Sequence, residues 1–178
     1  VKQYHFVIDV EADGPAPPVF SMIEIGVVKI VETGPLPSFG RAIAPQTDNF
    51  VPEALKSIGV TREESISRGK SPKEALQELE AWLEEIAPGR RNLWSDNPAF
   101  DCMWINSYTV QHLGKTLFGH SARRIGDLYC GLSRDLNANK KWKRLRKAPH
   151  DHTAVNDALG NAEALIAVLQ QSGIKPPW

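Results

Sequence analysis

Alternation comes first. Over "YHFVIDV" (4–10), Phe6, Ile8 and Val10 fall on one side of an extended chain and Val7 and Asp9 on the other, which predicts a strand. The breaker-rich "EADGPAPP" that follows predicts a loop. Two β-branched runs, "VFSMIEIGVVKIV" (19–31) and "FGRAIAP" (39–45), predict two more strands, joined through "ETGPLPS" as a hairpin or short meander. From residue 61 the period becomes helical. "VTREES" carries a Thr61…Glu64 capping box, and "SPKE" offers Ser71 as N-cap, Pro72 at the first helical position and Glu74 reaching back. Behind it, Ala75, Leu76, Leu79, Trp82, Leu83 and Ile86 share one stripe, which "PG" at 88–89 stops. "RNLWSD" (91–96) predicts a fourth strand, and "NPAFDCMWINSYTVQHL" a helix with Asn97 as cap and Pro98 in its first turn. A short extended piece at "ARRIGD" (122–127) precedes a helix carrying Leu128, Leu132 and Leu136. The last helix has Val155, Leu159, Ala162, Leu165, Ile166 and Leu169 on its apolar side and ends before Gly173.

Three strands followed by helix–strand–helix–strand–helix read as an α/β fold with a mixed sheet. A length of 178 residues suits one domain, 1–178, and no repeat or linker divides it. No apolar run approaches the ~20 residues that span a bilayer, and no signal-like segment opens the chain, so a cytoplasmic location is expected. Cys102 and Cys130 stand in no CxxC arrangement, which argues against a structural zinc site or a disulfide framework. The formal net charge of zero excludes a global basic field, yet "KKWKRLRK" (140–147) packs six basic residues around Trp142. Lys140, Lys141, Lys143 and Arg144 are suited to a phosphate backbone and Trp142 to a stacked base; the plainer reading is a solvated loop.

The acids sharpen this picture. Asp9 and Glu11, two apart at a strand end, point to one face, where two anions repel and a bound cation is the natural remedy; taken alone, the plainer reading is a strand that runs out into a polar loop. Asp101 lies just inside the helix after the fourth strand. If that strand runs parallel to the first, both open on the edge where open α/β sheets place their sites. Asp157 shares a face of the final helix with the small residues Gly160, Asn161 and Ala164. Together Asp9, Glu11, Asp101 and Asp157 would form an all-oxygen cluster that suits Mg²⁺ or Mn²⁺. Two such ions ~4 Å apart activate water and stabilise the departing oxygen of a phosphodiester. "HDHTAVNDA" (150–158) adds His150 and His152 at the entrance of that helix, either of them a base or an ordinary helix-entry residue.

In this order, "DVEADG", "SMIEIGVVKI", "NPAFD" and "HTAVNDA" resemble the DEDDh (DnaQ-like) 3′–5′ exonucleases of the RNase H-like superfamily, over about residues 4–170. The likeness implies a five-stranded mixed sheet with three antiparallel strands, flanked by helices. It also implies two divalent cations, single-stranded 3′ ends as substrate, nucleoside 5′-monophosphates as product, and allows a homodimer. The first motif falls on Asp9 and Glu11, the second on Asp101 and the third on His152 and Asp157. The family histidine stands five residues before the last aspartate, which selects His152 as general base over His150. Five residues of continuous helix would turn it ~140° from Asp157, so a loop position swinging over the cations is expected. By the same resemblance Asn97 lies where the terminal nucleotide is contacted. The proline-rich "ADGPAPPVF" departs from the family's short threonine–glycine turn. Glu24 is expected to be a structural hydrogen-bonding residue, and Asp13, Asp96 and Asp151 carry no assigned chemistry. The competing reading is a nucleic-acid-binding module that grips without cutting, for which four converging acids serve no purpose.

Overall fold

A computed structural model describes residues 2–174; residues 1 and 175–178 of the expected domain lie outside the described residues. Five strands, β1 (Gln3–Ala12), β2 (Met22–Lys29), β3 (Ser38–Ala42), β4 (Arg90–Ser95) and β5 (Ala122–Arg124), form one sheet in the order β3-β2-β1-β4-β5. The β1–β2 and β2–β3 pairs are antiparallel, whereas β4 lies parallel to both β1 and β5. This is the five-stranded mixed sheet that the resemblance implied, with six α-helices around it among the described residues: α1 (Pro52–Ile58), α2 (Arg62–Arg68), α3 (Pro72–Ile86), α4 (Pro98–Leu113), α5 (Ile125–Ser133) and α6 (Ala154–Gln171).

Strand alternation sorts β1 between two cores. Phe6, Ile8, Val10 and Ala12 enter the larger one beneath α3 and α4, with Leu76, Leu79, Leu83, Trp104 and Tyr108. Val7 enters the smaller one beneath α6, with Trp94, Trp142, Ala158, Ala162 and Leu165. α2 starts with the complete Thr61…Glu64 capping box, and α3 with Ser71 Oγ accepting from the Glu74 N–H. No membrane-crossing helix, long and apolar enough, exists among the described residues.

Several elements differ from the sequence expectation, each for a physical reason. β2 starts at Met22 rather than at residue 19. The Ser21 N–H donates to Asp13 Oδ1 at 2.5 Å and the Asp13 N–H to the Ser21 carbonyl at 2.9 Å, which closes residues 13–21 into a loop. Arg62 pins that loop by pairing with Asp13 Oδ2 at 2.6 Å. α1 has no side-chain cap and only one buried residue, Leu55, so it leaves little trace in the pattern. α5 ends at Ser133 because Arg134 takes a left-handed conformation (φ 52°), leaving Leu136 87% exposed instead of on the helix stripe. In α6 Ala162, Leu165 and Leu169 are buried as expected, but the small residues Ala154, Ala158, Gly160 and Ala164 are buried too, while Val155, Leu159 and Ile166 lie at the margins of the contact. Close approach to the sheet selects for small volume over hydrophobicity.

Candidate active site

Asp9 and Glu11 reach the site from the C-terminal half of β1, on the face covered by α6. Asp9 is the register partner of Gly26 on β2, and Glu11 of Glu24; the register shifts by one residue directly after Glu11. Bulges of this kind re-aim side chains beside active sites. Gly26 is the residue that admits α6: a Cβ there would stand 2.2 Å from the Ala154 carbonyl group. The first turn of α6 therefore lies against β2, and Asp157, one turn in, arrives beside Asp9 and Glu11. Carboxylate oxygens of Asp9, Glu11 and Asp157 lie within 4.8 Å of one another. Asp157 Oδ2 is buried and has no partner among the described residues. Hard oxygen donors, no thiolate and one orphaned carboxylate oxygen fit a divalent cation of the Mg²⁺ or Mn²⁺ kind.

Asp101 takes a different position. β4 pairs with β1 only as far as Val7, and past that point Asp101 Oδ1 accepts the Val10 N–H at 3.1 Å. Its other oxygen accepts from the Ser95 hydroxyl. Ser95, fully buried at the end of β4, also accepts the Asn97 N–H at 2.8 Å. Asp101 thus stands beside Asp9 but outside the three-acid set. Ser95 has no sequence signature of its own, since a serine ending a strand is ordinary.

Burial and mutual repulsion govern the charges. Glu11 is pushed up to about 8, first by burial and then by Asp157, Glu24 and Asp101. Asp9 is raised well above the usual carboxylate range by burial and by the charges of Asp101, Glu11 and Asp157. Burial likewise lifts Asp101 to about 7, against the hydrogen bonds from Ser95 and Val10 that favour its charged form. Glu24 is raised by burial too, partly offset by the Ala154 N–H at the start of α6, in keeping with a structural role.

Both histidines stand at the cluster. His152 precedes α6 in a left-handed conformation (φ 58°), its side chain 44% exposed and its Nδ1 3.9 Å from Glu11 Oε1. Asp151 sets that turn by accepting the Thr153 N–H at 3.0 Å and the Asn156 amide at 2.8 Å, the side-chain-to-backbone turn typical of aspartate. His150, which the family spacing sets aside, is the closer of the two to an acid. Its Nδ1 lies 2.7 Å from Asp157 Oδ1, and the two imidazole centroids are 4.5 Å apart.

The basic segment requires a correction. Trp142 is 0% exposed; its indole N–H donates to the Asn139 carbonyl at 2.9 Å and its ring packs beneath α6. No face is free to stack a base: this tryptophan anchors the segment. Lys141 pairs with Asp135 at 3.1 Å, Lys143 with Asp96 at 2.5 Å, and Arg144 donates to the Tyr129 hydroxyl at 3.1 Å. Lys140 is exposed. Asn97 occupies the N-cap position of α4, but its side chain makes no capping bond and is exposed at the edge of the site.

Comparison with known proteins bears on the family and the fold. The Rv2179c-like 3′–5′ exoribonuclease domain matches residues 4–169. A 3′–5′ DNA exonuclease of Escherichia coli, Cap18, is 28% identical over 174 residues, covering 91% of this chain and 89% of its own. The crystal structure of a full-length 3′-exonuclease superposes with a TM-score of 0.74 at 17% identity over 94% of this chain, which spans only 60% of that protein. Exonuclease X in complex with 5′-overhanging duplex DNA gives 0.66 at 18% identity, with 95% of this chain and 93% of that one covered. E. coli exonuclease I in complex with a dT13 oligonucleotide gives 0.70 at 14% identity, with 96% and 41% covered. At such identities the structural likeness speaks for the fold; the match along nearly the whole sequence speaks for the family. The chain belongs to the Rv2179c-like 3′–5′ exoribonuclease domain family, and it shares the fold of the exonucleases on which it superposes.

Proposed function

We propose that this 3′–5′ exonuclease hydrolyses the terminal phosphodiester of single-stranded nucleic acid as one domain, with Asp9, Glu11, Asp101 and Asp157 holding two divalent cations, Mg²⁺ or Mn²⁺, and His152 as general base. The product is a nucleoside 5′-monophosphate. The observation that carries this reading is the convergence of Asp9, Glu11 and Asp157 within 4.8 Å, from β1 and α6. When bound, the cations supply Lewis-acid stabilisation of the charge that builds on the phosphate.

The chain's own groups do the rest. The Asp151 turn presents the His152 imidazole, partly exposed, at the rim of the cluster, where a neutral ring nitrogen takes the proton of the attacking water. His150 stands at Asp157, and Asn161 holds the Arg146 side chain beside it. Ser95 keeps Asp101 oriented beside Asp9. The nucleic acid strand reaches this edge past Asn97 and the exposed Lys140 and Arg144. Lys141 and Lys143 are drawn toward Asp135 and Asp96 and contribute less.

The test is digestion of matched RNA and DNA oligonucleotides labelled at either end, with Mn²⁺ and with EDTA, by the wild-type chain and Asp9→Asn. Mononucleotides released stepwise from the 3′ end, by the wild type with Mn²⁺ only, are expected. Cleavage that persists in EDTA or in Asp9→Asn overturns the reading. The comparison of strands assigns the sugar, on which the described relatives divide between exoribonuclease and DNA exonuclease. Light scattering on the same sample reads whether the chain forms a homodimer.

A further inference from the structure

The acid cluster carries a cation of its own. Arg146 follows the short turn Lys141–Leu145 and points inward, its side chain 7% exposed. Nη2 donates to Asp157 Oδ1 at 2.6 Å and to the Pro149 carbonyl at 3.3 Å, and Nη1 donates to Asn161 Oδ1 at 3.2 Å. Nε is buried with no partner among the described residues. The guanidinium packs against Gly160, where a Cβ would stand 2.5 Å from Nε and 2.9 Å from Cζ. The small residue at 160 is therefore a seat for this side chain. The carboxylate it holds is the one that α6 contributes to the cluster, and the same Oδ1 also meets His150 at 2.7 Å.

We propose that Arg146 is an internal counter-ion that competes with divalent cations for Asp157 and so sets the cation concentration at which the site loads. A guanidinium stays charged at any pH a protein tolerates. Placed against gathered carboxylates, it offsets part of their repulsion and stabilises the folded chain without a bound cation. The same charge repels an incoming divalent ion, and Asp157 Oδ1 must be shared or surrendered before it can serve as a ligand. The side chain thereby links two parts of the molecule. The basic segment that would touch a nucleic acid strand is tied through Arg146 to an acid of the site and through Pro149 to the turn bearing both histidines. This inference rests on the metal-binding reading above.

The experiment is a direct Mn²⁺ titration, read by the EPR signal of free Mn²⁺, together with thermal unfolding in EDTA and in saturating Mn²⁺. Arg146→Met is expected to bind Mn²⁺ about tenfold more tightly than the wild type, on the scale of ordinary site-to-site couplings. It should also unfold at a lower temperature in EDTA and gain more from Mn²⁺. A simple packing defect does not tighten metal binding. Gly160→Ala is the second variant: it keeps the charge but pushes the guanidinium off its seat, and the same change in smaller measure is expected. Unchanged or weaker Mn²⁺ binding by Arg146→Met, or by Gly160→Ala should the first variant not fold, overturns the inference. Asp9→Asn separates the two levels. If the wild type binds Mn²⁺ no better than Asp9→Asn, the metal-binding reading falls and this inference with it. If it binds better while Arg146→Met matches the wild type, only the role of Arg146 falls.

Discussion

On one side of β1, Phe6, Ile8 and Val10 are sealed under α3 and α4 with Trp104 and Tyr108; on the other, His5, Val7, Asp9 and Glu11 face α6, which meets them with Ala154, Asp157, Ala158 and Asn161. The first face is built of large side chains, and burying each contributes about 1.5–3 kcal/mol. The second is built of small ones, and Gly26 lets the α6 backbone descend until its first turn nearly touches the strand. Bulk holds a helix away from a sheet; its removal lets a carboxylate on the helix reach carboxylates on the strand. The acid side destabilises, since Asp9, Glu11 and Asp101 are all held above their ordinary range by burial and repulsion. The aliphatic and aromatic side offsets that cost, so a single strand divides stability and chemistry between its faces.

The contrast is sharpest at Asp9. Asp9→Asn should abolish hydrolysis yet raise the unfolding temperature in EDTA at pH 8, by about 2–4 °C for each kcal/mol of repulsion relieved. A variant that lost activity and stability together would show the acids to be structural. The sign of the pH effect follows from Glu11. Between its ordinary value of 4.5 and its folded value of about 8, the native chain holds a proton that the unfolded chain has released. Stability in EDTA therefore falls as pH rises through that window. Cation binding must displace the proton, so the stabilisation by Mn²⁺ should grow from pH 6 to pH 8. A pH-independent gain in calorimetric scans would contradict the burial of Glu11.

On the opposite face, Trp104→Ala should cost about 3–5 kcal/mol in denaturant unfolding while any folded fraction keeps its metal affinity. Loss of Mn²⁺ binding by that folded fraction would blur the division between the faces. Within the site, His152→Ala is expected to slow hydrolysis by about 10²–10⁴ with metal binding retained. His150→Ala, which removes a partner of Asp157, should cost about 10–100-fold, the scale of outer partners of metal ligands. The reverse order in steady-state assays would move the base assignment to His150. The smallest effect lies in the basic segment. With Trp142 and Arg146 buried and Lys141 and Lys143 paired, Lys140, Arg144 and Lys147 remain for phosphates. Three contacts predict a slope of about −2 for log affinity against log salt, where all six would approach about −4.

Much of this molecule is local, and what is local was readable. The alternation of β1, the α3 stripe and the caps at Thr61 and Ser71 depend on neighbours within a few residues, and the structure keeps them. The spacing of Asp9 and Glu11 placed both on one face, and the parallel pairing of β4 put Asp101 at the same edge. Trp142 misled because a tryptophan among lysines has the composition of a stacking platform, and its burial depends on α6, which starts twelve residues further along. The contacts of His150 and Arg146 with Asp157 carried no signal, since they arise from a turn whose path the pattern does not specify.

The amino-acid sequence by itself determined most of the elements, their order along the chain and which acids are available, because periodicity and motif order are written along one dimension. The tertiary structure alone decided how near those acids stand, which histidine touches which of them, and that an arginine sits in their midst. Those are distances between residues far apart in the chain, set by how closely α6 packs on Gly26, where even a single Cβ would collide with the Ala154 carbonyl group.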